Sequence, residues 1–291
     1  MKQNPARGKG AGKPRQNPAV WLIPAAVLAV TLVLVFLRPW ERRVALPDSL
    51  TANSVVILDD KGNTLAELDS DTPRSPSSLT KLLTLYLIFD DIDSGKLSLT
   101  DTAEVTVAEA TTLGSRYGLT PGQEVTVEQL LAGTILNSGC DCVQVLVRLS
   151  AGGEAAFVER MNEAAAELGL KGSHFVNATG LDASGHYMTA RDLATLSWKL
   201  VENHPEYLDY SSQATLTIDG LTFTNLNKLV GADPRVLGLK TGTTAIGGNN
   251  LVTYAKQGEK ACLIVLLDSA TVTKRFAETQ QLLDLVLGEV A

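Results

Sequence analysis

Beyond residue 45 the strand-like segments of this chain lie at its two ends and the helical segments lie between them, so the fold must bring distant stretches into one sheet. Ser54-Val55-Val56-Ile57-Leu58 and Thr64-Leu65-Ala66-Glu67-Leu68, joined across Lys61-Gly62-Asn63, read as strand, turn, strand. The same signal returns after residue 214. Thr215-Leu216-Thr217-Ile218 and Leu221-Thr222-Phe223 flank an Asp219-Gly220 turn, and Asn250-Leu251-Val252-Thr253-Tyr254-Ala255 precedes the apolar run 261–267. Between these ends, 79–89 is apolar enough for a buried helix. Residues 100–124 read as short strands and turns. Thr126-Val127-Glu128-Gln129 is a capping box opening a helix through Leu130, Leu131 and Ile135. Phe157, Met161, Ala165 and Leu168 stand at helical spacing before Gly169, and Thr189-Ala190-Arg191-Asp192 caps a helix through Leu193, Leu196 and Leu200. A last helix covers 274–287. The expected class is α+β, with an antiparallel sheet flanked by helices and an inserted helical region, as one domain over 45–291.

Residues 1–18 carry Lys2, Arg7, Lys9, Lys13 and Arg15 and no acid, a composition that cannot bury a core and reads as a disordered basic tail. Residues 19–37 are uncharged; at ~1.5 Å per residue they nearly span the ~30 Å hydrocarbon layer. A cleaved signal peptide competes with this reading, but Arg38-Pro39-Trp40-Glu41-Arg42-Arg43 is a poor cleavage region. The expectation is an uncleaved single-pass anchor at 19–39. Five cations before the span outnumber three after it, which puts the tail in the cytoplasm and the bulk of the chain outside the cell. After residue 37 there are 20 Lys+Arg against 32 Asp+Glu, a net of −12, which gives no basic footprint for nucleic acid. Three cysteines make no disulfide framework, and the histidines (His174, His186, His204) are scattered, so no metal-binding motif is present.

The residues that suggest chemistry are Ser78-Leu79-Thr80-Lys81, at the start of the apolar helix. Residues three apart there share a face, so a lysine amine with its pKa lowered by burial would sit beside a serine hydroxyl. The plain alternative is a serine N-cap followed by an ordinary amphipathic lysine, because S-x-x-K alone is common. Two further pieces change that balance: Ser138-Gly139-Cys140 at the end of the capping-box helix, and Lys240-Thr241-Gly242 followed by Thr243. The order S-x-x-K, S-x-x, K-T-G is the signature of serine penicillin-binding proteins and β-lactamases.

The match extends past these motifs. The segment 76–84, Leu136-Asn137-Ser138-Gly139-Cys140-Asp141, the stretches 175–181 and 185–190, Leu237-Gly238-Leu239-Lys240-Thr241-Gly242 and Gly248-Asn249-Asn250-Leu251-Val252 together resemble the D-alanyl-D-alanine carboxypeptidases, the low-molecular-mass penicillin-binding proteins. The resemblance covers roughly 52–285. It implies the transpeptidase-like fold shared by penicillin-binding proteins and β-lactamases. It also implies a cofactor-free serine hydrolase acting on peptidoglycan stem peptides, with β-lactams as covalent inhibitors. By the same resemblance Ser78 is the nucleophile, Lys81 its base and Ser138 a proton relay. The N–H groups of Ser78 and Thr243 form the oxyanion hole, Lys240, Thr241 and Arg275 serve the substrate carboxylate, and Gly242 belongs to the same substrate-binding segment. For Arg275 the plain alternative is a helix-surface arginine.

Cys140 stands where the family carries an asparagine that bonds the lysine and the substrate backbone; a thiol is a weaker partner, which implies slower or altered catalysis. The leading expectation is a membrane-anchored D,D-carboxypeptidase. A D,D-endopeptidase shares its motifs, and a cell-wall-binding protein that has lost turnover through Cys140 is the non-enzyme alternative. A class A β-lactamase would need a positioned glutamate that 175–190 does not supply.

Overall fold

The computed structural model describes Met1 and residues 43–290. The expected span at 19–39, and the expected tail apart from Met1, lie outside the described residues. Among the described residues no helix is long and apolar enough to cross a membrane.

β1 (Ser54–Leu58) and β2 (Thr64–Leu68) form the expected hairpin. A single 3-10 turn at Ser77–Thr80 leads into α1 (Lys81–Asp93). β3 (Thr102–Glu104) and β4 (Glu124–Thr126) pair with each other, with the short helix α2 (Val107–Ala110) between them. The helical part continues with α3 (Val127–Leu136), α4 (Cys140–Ala151), α5 (Glu154–Glu167), α6 (Ala190–Asn203) and α7 (Tyr207–Ser211). β5 (Thr215–Ile218) and β6 (Leu221–Thr224) form a hairpin, and β7 (Val236–Thr244), β8 (Gly248–Gln257), β9 (Lys260–Ser269) and α8 (Val272–Leu287) close the chain.

The two ends do meet. The main sheet runs β2-β1-β9-β8-β7, every neighbour antiparallel, with Val56 opposite Val265 and Ile57 opposite Ile264. β9 explains why one sheet can serve two cores, because its side chains alternate and both faces are covered. Cys262, Ile264 and Leu266 join Val55, Ile57 and Leu251 beneath Phe276, Leu282 and Leu283 of α8. Leu263, Val265 and Leu267 join the larger core shared with the helices. α1 lies inside that core, buried continuously from Lys81 to Phe89 and packed against α3, α4, α5 and α6.

Three details differ from the sequence reading. β5–β6 stays outside the main sheet, since Thr215 and Thr217 face solvent and Phe223 is the hairpin's one fully buried anchor. Lys240-Thr241-Gly242 lies within the edge strand β7, not between strands. The helices α2 and α4 were not legible as helices. α4 follows Ser138-Gly139, which reads as a helix stop, and Ser138 does adopt a left-handed φ of 58° before the chain re-enters helix at Cys140.

Candidate active site

Ser78 is not an N-cap. It sits in the 3-10 turn, where side chains at i and i+3 eclipse, and this stacks Ser78 directly over Lys81. Lys81 Nζ donates to Ser78 Oγ at 3.0 Å. Ser78 is half-buried while Lys81 is wholly buried. Lys81 Nζ also donates to the Thr179 carbonyl at 2.6 Å and lies 3.5 Å from Cys140 Sγ. Burial pulls the Lys81 pKa below its ordinary range, an effect opposed by Cys140, Cys142 and Asp141.

β7 brings the third motif alongside. An added Cβ on Gly242 would lie 3.0 Å from the Pro76 carbonyl oxygen and 3.2 Å from Leu79 N, so the glycine is what lets the strand press against the 3-10 turn. Lys240 is buried, its Nζ donates to the Thr241 carbonyl at 3.2 Å, and burial first, then the charge of Lys81, push its pKa well down. Thr241 is buried and Thr243 exposed, so Thr243 stands at the open end of the edge strand. There, alternate N–H groups have no neighbouring strand.

Arg275 is no surface arginine. It is 5% exposed, and Nη1 donates to the Gly242 carbonyl (3.1 Å), Thr243 Oγ1 (2.8 Å) and the Asn250 carbonyl (3.2 Å). Burial lowers its pKa to about 10, which leaves it cationic at neutral pH. Ser138, two residues before Cys140, is buried, and its hydroxyl has no hydrogen-bond partner among the described residues. A buried polar group without a protein partner is an exception in folded proteins. All nine expected residues therefore lie in or beside one constellation built from the 3-10 turn, the α3–α4 junction, β7 and α8.

Several supporting residues escaped the sequence reading. Asn177 Oδ1 accepts from the N–H of Thr179 (3.2 Å) and of Gly180 (2.7 Å), an Asx turn that aims the Thr179 carbonyl at Lys81. Asn177-Ala178-Thr179-Gly180 carried that signal, but nothing in the pattern pointed the turn at a lysine. Asp141, buried in the first turn of α4, accepts from the N–H of Tyr117, Gly118 and Leu119 at 2.8–3.1 Å and pins that loop beside the site.

His186 has a structural role. Its Nδ1 accepts from the Val176 N–H at 3.1 Å, so Nε2 carries the proton that Thr80 Oγ1 accepts at 2.7 Å. Burial, helped by His174, lowers its pKa from 6.5 to about 4. The unfolded chain binds this proton below pH ~6.5 and the folded chain does not until pH ~4, so the stability that His186 supplies is complete above ~6.5 and lost as pH falls through that window. Between those limits wild type is expected to lose ~3 kcal/mol more than His186→Gln, measured by urea unfolding at each pH.

Residues 41–271 match the family described as D-alanyl-D-alanine carboxypeptidase. The chain is 33% identical over 245 residues to the D-alanyl-D-alanine carboxypeptidase DacF of Bacillus subtilis, covering 82% of this chain and 62% of that protein. To DacC of Escherichia coli it is 36% identical over 251 residues, covering 84% and 62%. The chain thus spans less than two thirds of the length of these relatives. The structure of penicillin binding protein 6B from Escherichia coli superposes with a TM-score of 0.78 at 34% identity, over 85% of this chain and 80% of that one. Penicillin-binding protein D2 from Listeria monocytogenes, in its cefotaxime-bound form, gives 0.77 at 31% identity, over 84% of this chain and 100% of that one.

Proposed function

This chain belongs to the D-alanyl-D-alanine carboxypeptidase family, and from that premise we propose that it is a serine D,D-carboxypeptidase removing the terminal D-alanine from peptidoglycan stem pentapeptides. One observation carries the reading: a fully buried amine, its pKa lowered, 3.0 Å from a half-exposed serine hydroxyl. Ser78 Oγ attacks the carbonyl carbon of the penultimate D-alanine as its proton passes to neutral Lys81. The N–H groups of Ser78 and Thr243 hold the oxyanion, and each such donor is worth ~10²–10³ in rate. Collapse breaks the amide bond, Ser138 relays a proton to the leaving amine, and D-alanine departs. Water then attacks the Ser78 ester, giving its proton to Lys81 and restoring the serine.

Arg275 supplies the cation that receives the substrate carboxylate, Lys240 and Thr241 stand beside it on β7, and Gly242 keeps β7 close to the nucleophile. The same cation suits the carboxylate of a β-lactam, which would acylate Ser78 covalently. Cys140 does not leave Lys81 stranded, because the strong bond to the amine comes from the Thr179 carbonyl. That supports turnover despite the replaced asparagine. In the same reading 19–39 anchors the protein in the membrane, with 1–18 inside and the catalytic domain, 45–291, outside; the uncharged run and its five preceding cations support this arrangement.

The test is D-alanine release from a peptide ending in Lys-D-Ala-D-Ala, using the full-length protein in mild detergent. Release is expected, and is expected to vanish in Ser78→Ala. A folded wild-type protein that releases no D-alanine would overturn the proposal, and cleavage of a cross-linked dimer in its place would reassign the enzyme as an endopeptidase.

A further inference from the structure

Ser77, the residue before Ser78, is held by a row of polar groups that ends on a carboxylate. It is fully buried and adopts a left-handed φ of +52°. That conformation costs a residue other than glycine about 1 kcal/mol and persists only where the surroundings hold it. The hold begins at Asp182, which the mechanism above does not use. Asp182 Oδ1 accepts from Ser75 Oγ at 2.6 Å and from Thr244 Oγ1 at 2.8 Å, and Oδ2 accepts from the Ile246 N–H at 3.2 Å. Burial opposes ionisation, but these bonds hold the carboxyl below its ordinary range, so at neutral pH it only accepts.

The hydrogens of the row then have one consistent direction. The Thr244 hydroxyl directs its hydrogen at Asp182. Ser77 Oγ, 2.9 Å from Thr244 Oγ1, must therefore donate to it, and Thr244 Oγ1 also accepts from the Gly247 N–H at 2.9 Å. Ser77 Oγ in turn accepts from Asn250 Nδ2 at 3.2 Å, and Asn250 Oδ1 accepts from the Asp268 N–H at 2.8 Å. A connected, satisfied row of this kind fixes its members. Without the carboxylate at its end, the Thr244 hydroxyl can rotate and Ser77 loses its fixed acceptor.

The carboxylate also bridges two segments. Ser75 and Ser77 lead into Ser78, whereas Thr244 and Ile246 follow Thr243, and Asp182 bonds to both stretches at once. An added Cβ on Gly247 would overlap Ser77 Oγ and lie 2.7 Å from the Ser75 carbonyl oxygen, so the turn is pressed on the same two serines. Ser78 and Thr243 are the residues whose N–H groups the proposed mechanism uses.

We propose that Asp182 is a positioning residue for acylation: it clamps 75–78 to 244–247 and, through the Thr244 and Ser77 hydroxyls, fixes the spacing of the Ser78 and Thr243 N–H groups. The inference rests on the reading of Ser78 as nucleophile. Asp182 touches no substrate in this role. Its effect comes from geometry, since a displacement of about 1 Å at the reacting centre costs about 10²-fold.

The experiment is the rate of labelling by a fluorescent penicillin over a range of concentrations, on full-length protein in mild detergent, with a thermal melt for each variant. Asp182→Ala is expected to lower the acylation rate at saturation by about 10–100-fold. Its half-saturating concentration is expected to stay within about threefold of wild type, because Arg275 still receives the carboxylate. Thr244→Val is expected to lower the same rate, and Thr244→Ser, which keeps the hydroxyl, to stay within about threefold of wild type. The double variant Asp182→Ala/Thr244→Val is expected to lose less than the product of the single losses, because both changes act on one row. The Thr244 pair decides the matter if Asp182→Ala does not fold. Labelling of Asp182→Ala or Thr244→Val at the wild-type rate, single losses that multiply, or an equal loss in Thr244→Ser overturns the proposal. A folded wild-type protein that labels no better than Ser78→Ala overturns the nucleophile reading, and this inference with it.

Discussion

Lys81→Met is expected to be as inactive as Ser78→Ala in both D-alanine release and β-lactam acylation, a loss of at least about 10³-fold, with no loss of thermal stability. The first half follows from geometry. Among the described residues Lys81 places a nitrogen base within hydrogen-bond reach of Ser78 Oγ, and a serine hydroxyl without a base is a poor nucleophile. Removing either member of such a unit costs nearly what removing both would. The second half follows from burial. A lysine whose folded pKa lies below its ordinary 10.5 binds its proton more readily in the unfolded chain, so at neutral pH it contributes against folding. Methionine is of similar length, carries no charge and suits the apolar wall around α1. It gives up the bond to the Thr179 carbonyl, worth ~1 kcal/mol, in exchange for the desolvation it avoids. The same depressed pKa fixes the sign of the pH profile: acylation by wild type rises with pH as Lys81 loses its proton, at a pH below 10.5. Labelling with a fluorescent penicillin, paired with a thermal melt, measures both halves. Acylation of Lys81→Met within tenfold of wild type would sink the assignment of Lys81 as base.

What could be read from the sequence and what could not divide along a physical line. Local signals held. The capping box at Thr126 and Gln129 forms with both of its reciprocal bonds, Thr189 caps α6, and the continuous apolar run of β9 lies between two cores. That Ser78, Lys81, Cys140 and Gly242 come together was legible because three short motifs fell in a characteristic order. What stayed hidden depends on approach between distant segments. Arg275 occupies a helix whose sequence suits a solvent face, yet it turns into the sheet because the Gly242 and Asn250 carbonyls lie there to receive it. The 3-10 turn that stacks Ser78 on Lys81 is closely approached by β7 at Gly242 and by the 175–181 loop at Gly180, both from outside the segment. Cys140 looked like a defect because its usual partner role was assigned to it alone. With the Thr179 carbonyl 2.6 Å from the amine, the thiol is one of two neighbours and the weaker one.

Gly180→Ala is expected to cost more than about 3 kcal/mol and to lower D-alanine release by about 10²-fold or more, although residue 180 contributes no side chain to the site. Gly180 adopts a left-handed φ of +80°. An added Cβ would overlap the Ser77 carbonyl oxygen, stand 2.5 Å from its carbon and lie 2.8 Å from Thr80 Oγ1. Those atoms are not free to yield. Ser77 itself sits at a φ of +52°, and its hydroxyl is tied to Thr244 Oγ1 at 2.9 Å and to Asn250 Nδ2 at 3.2 Å. On the other side, Thr179 is held by Asn177 and by its bond to Lys81. The clash must therefore move either the residue before Ser78 or the carbonyl that holds Lys81, the proposed nucleophile and base, and a misplacement of about 1 Å at such a point costs about 10²-fold. Gly220→Ala separates space from strain. Gly220 has nearly the same φ, +83°, in the β5–β6 turn, with nothing within 4 Å of the added carbon. It pays only the left-handed penalty of about 1 kcal/mol and is expected to keep full activity. Urea unfolding and D-alanine release on the two variants decide the matter, and equal losses would mean that backbone strain, not the close approach of the two loops, makes Gly180 necessary.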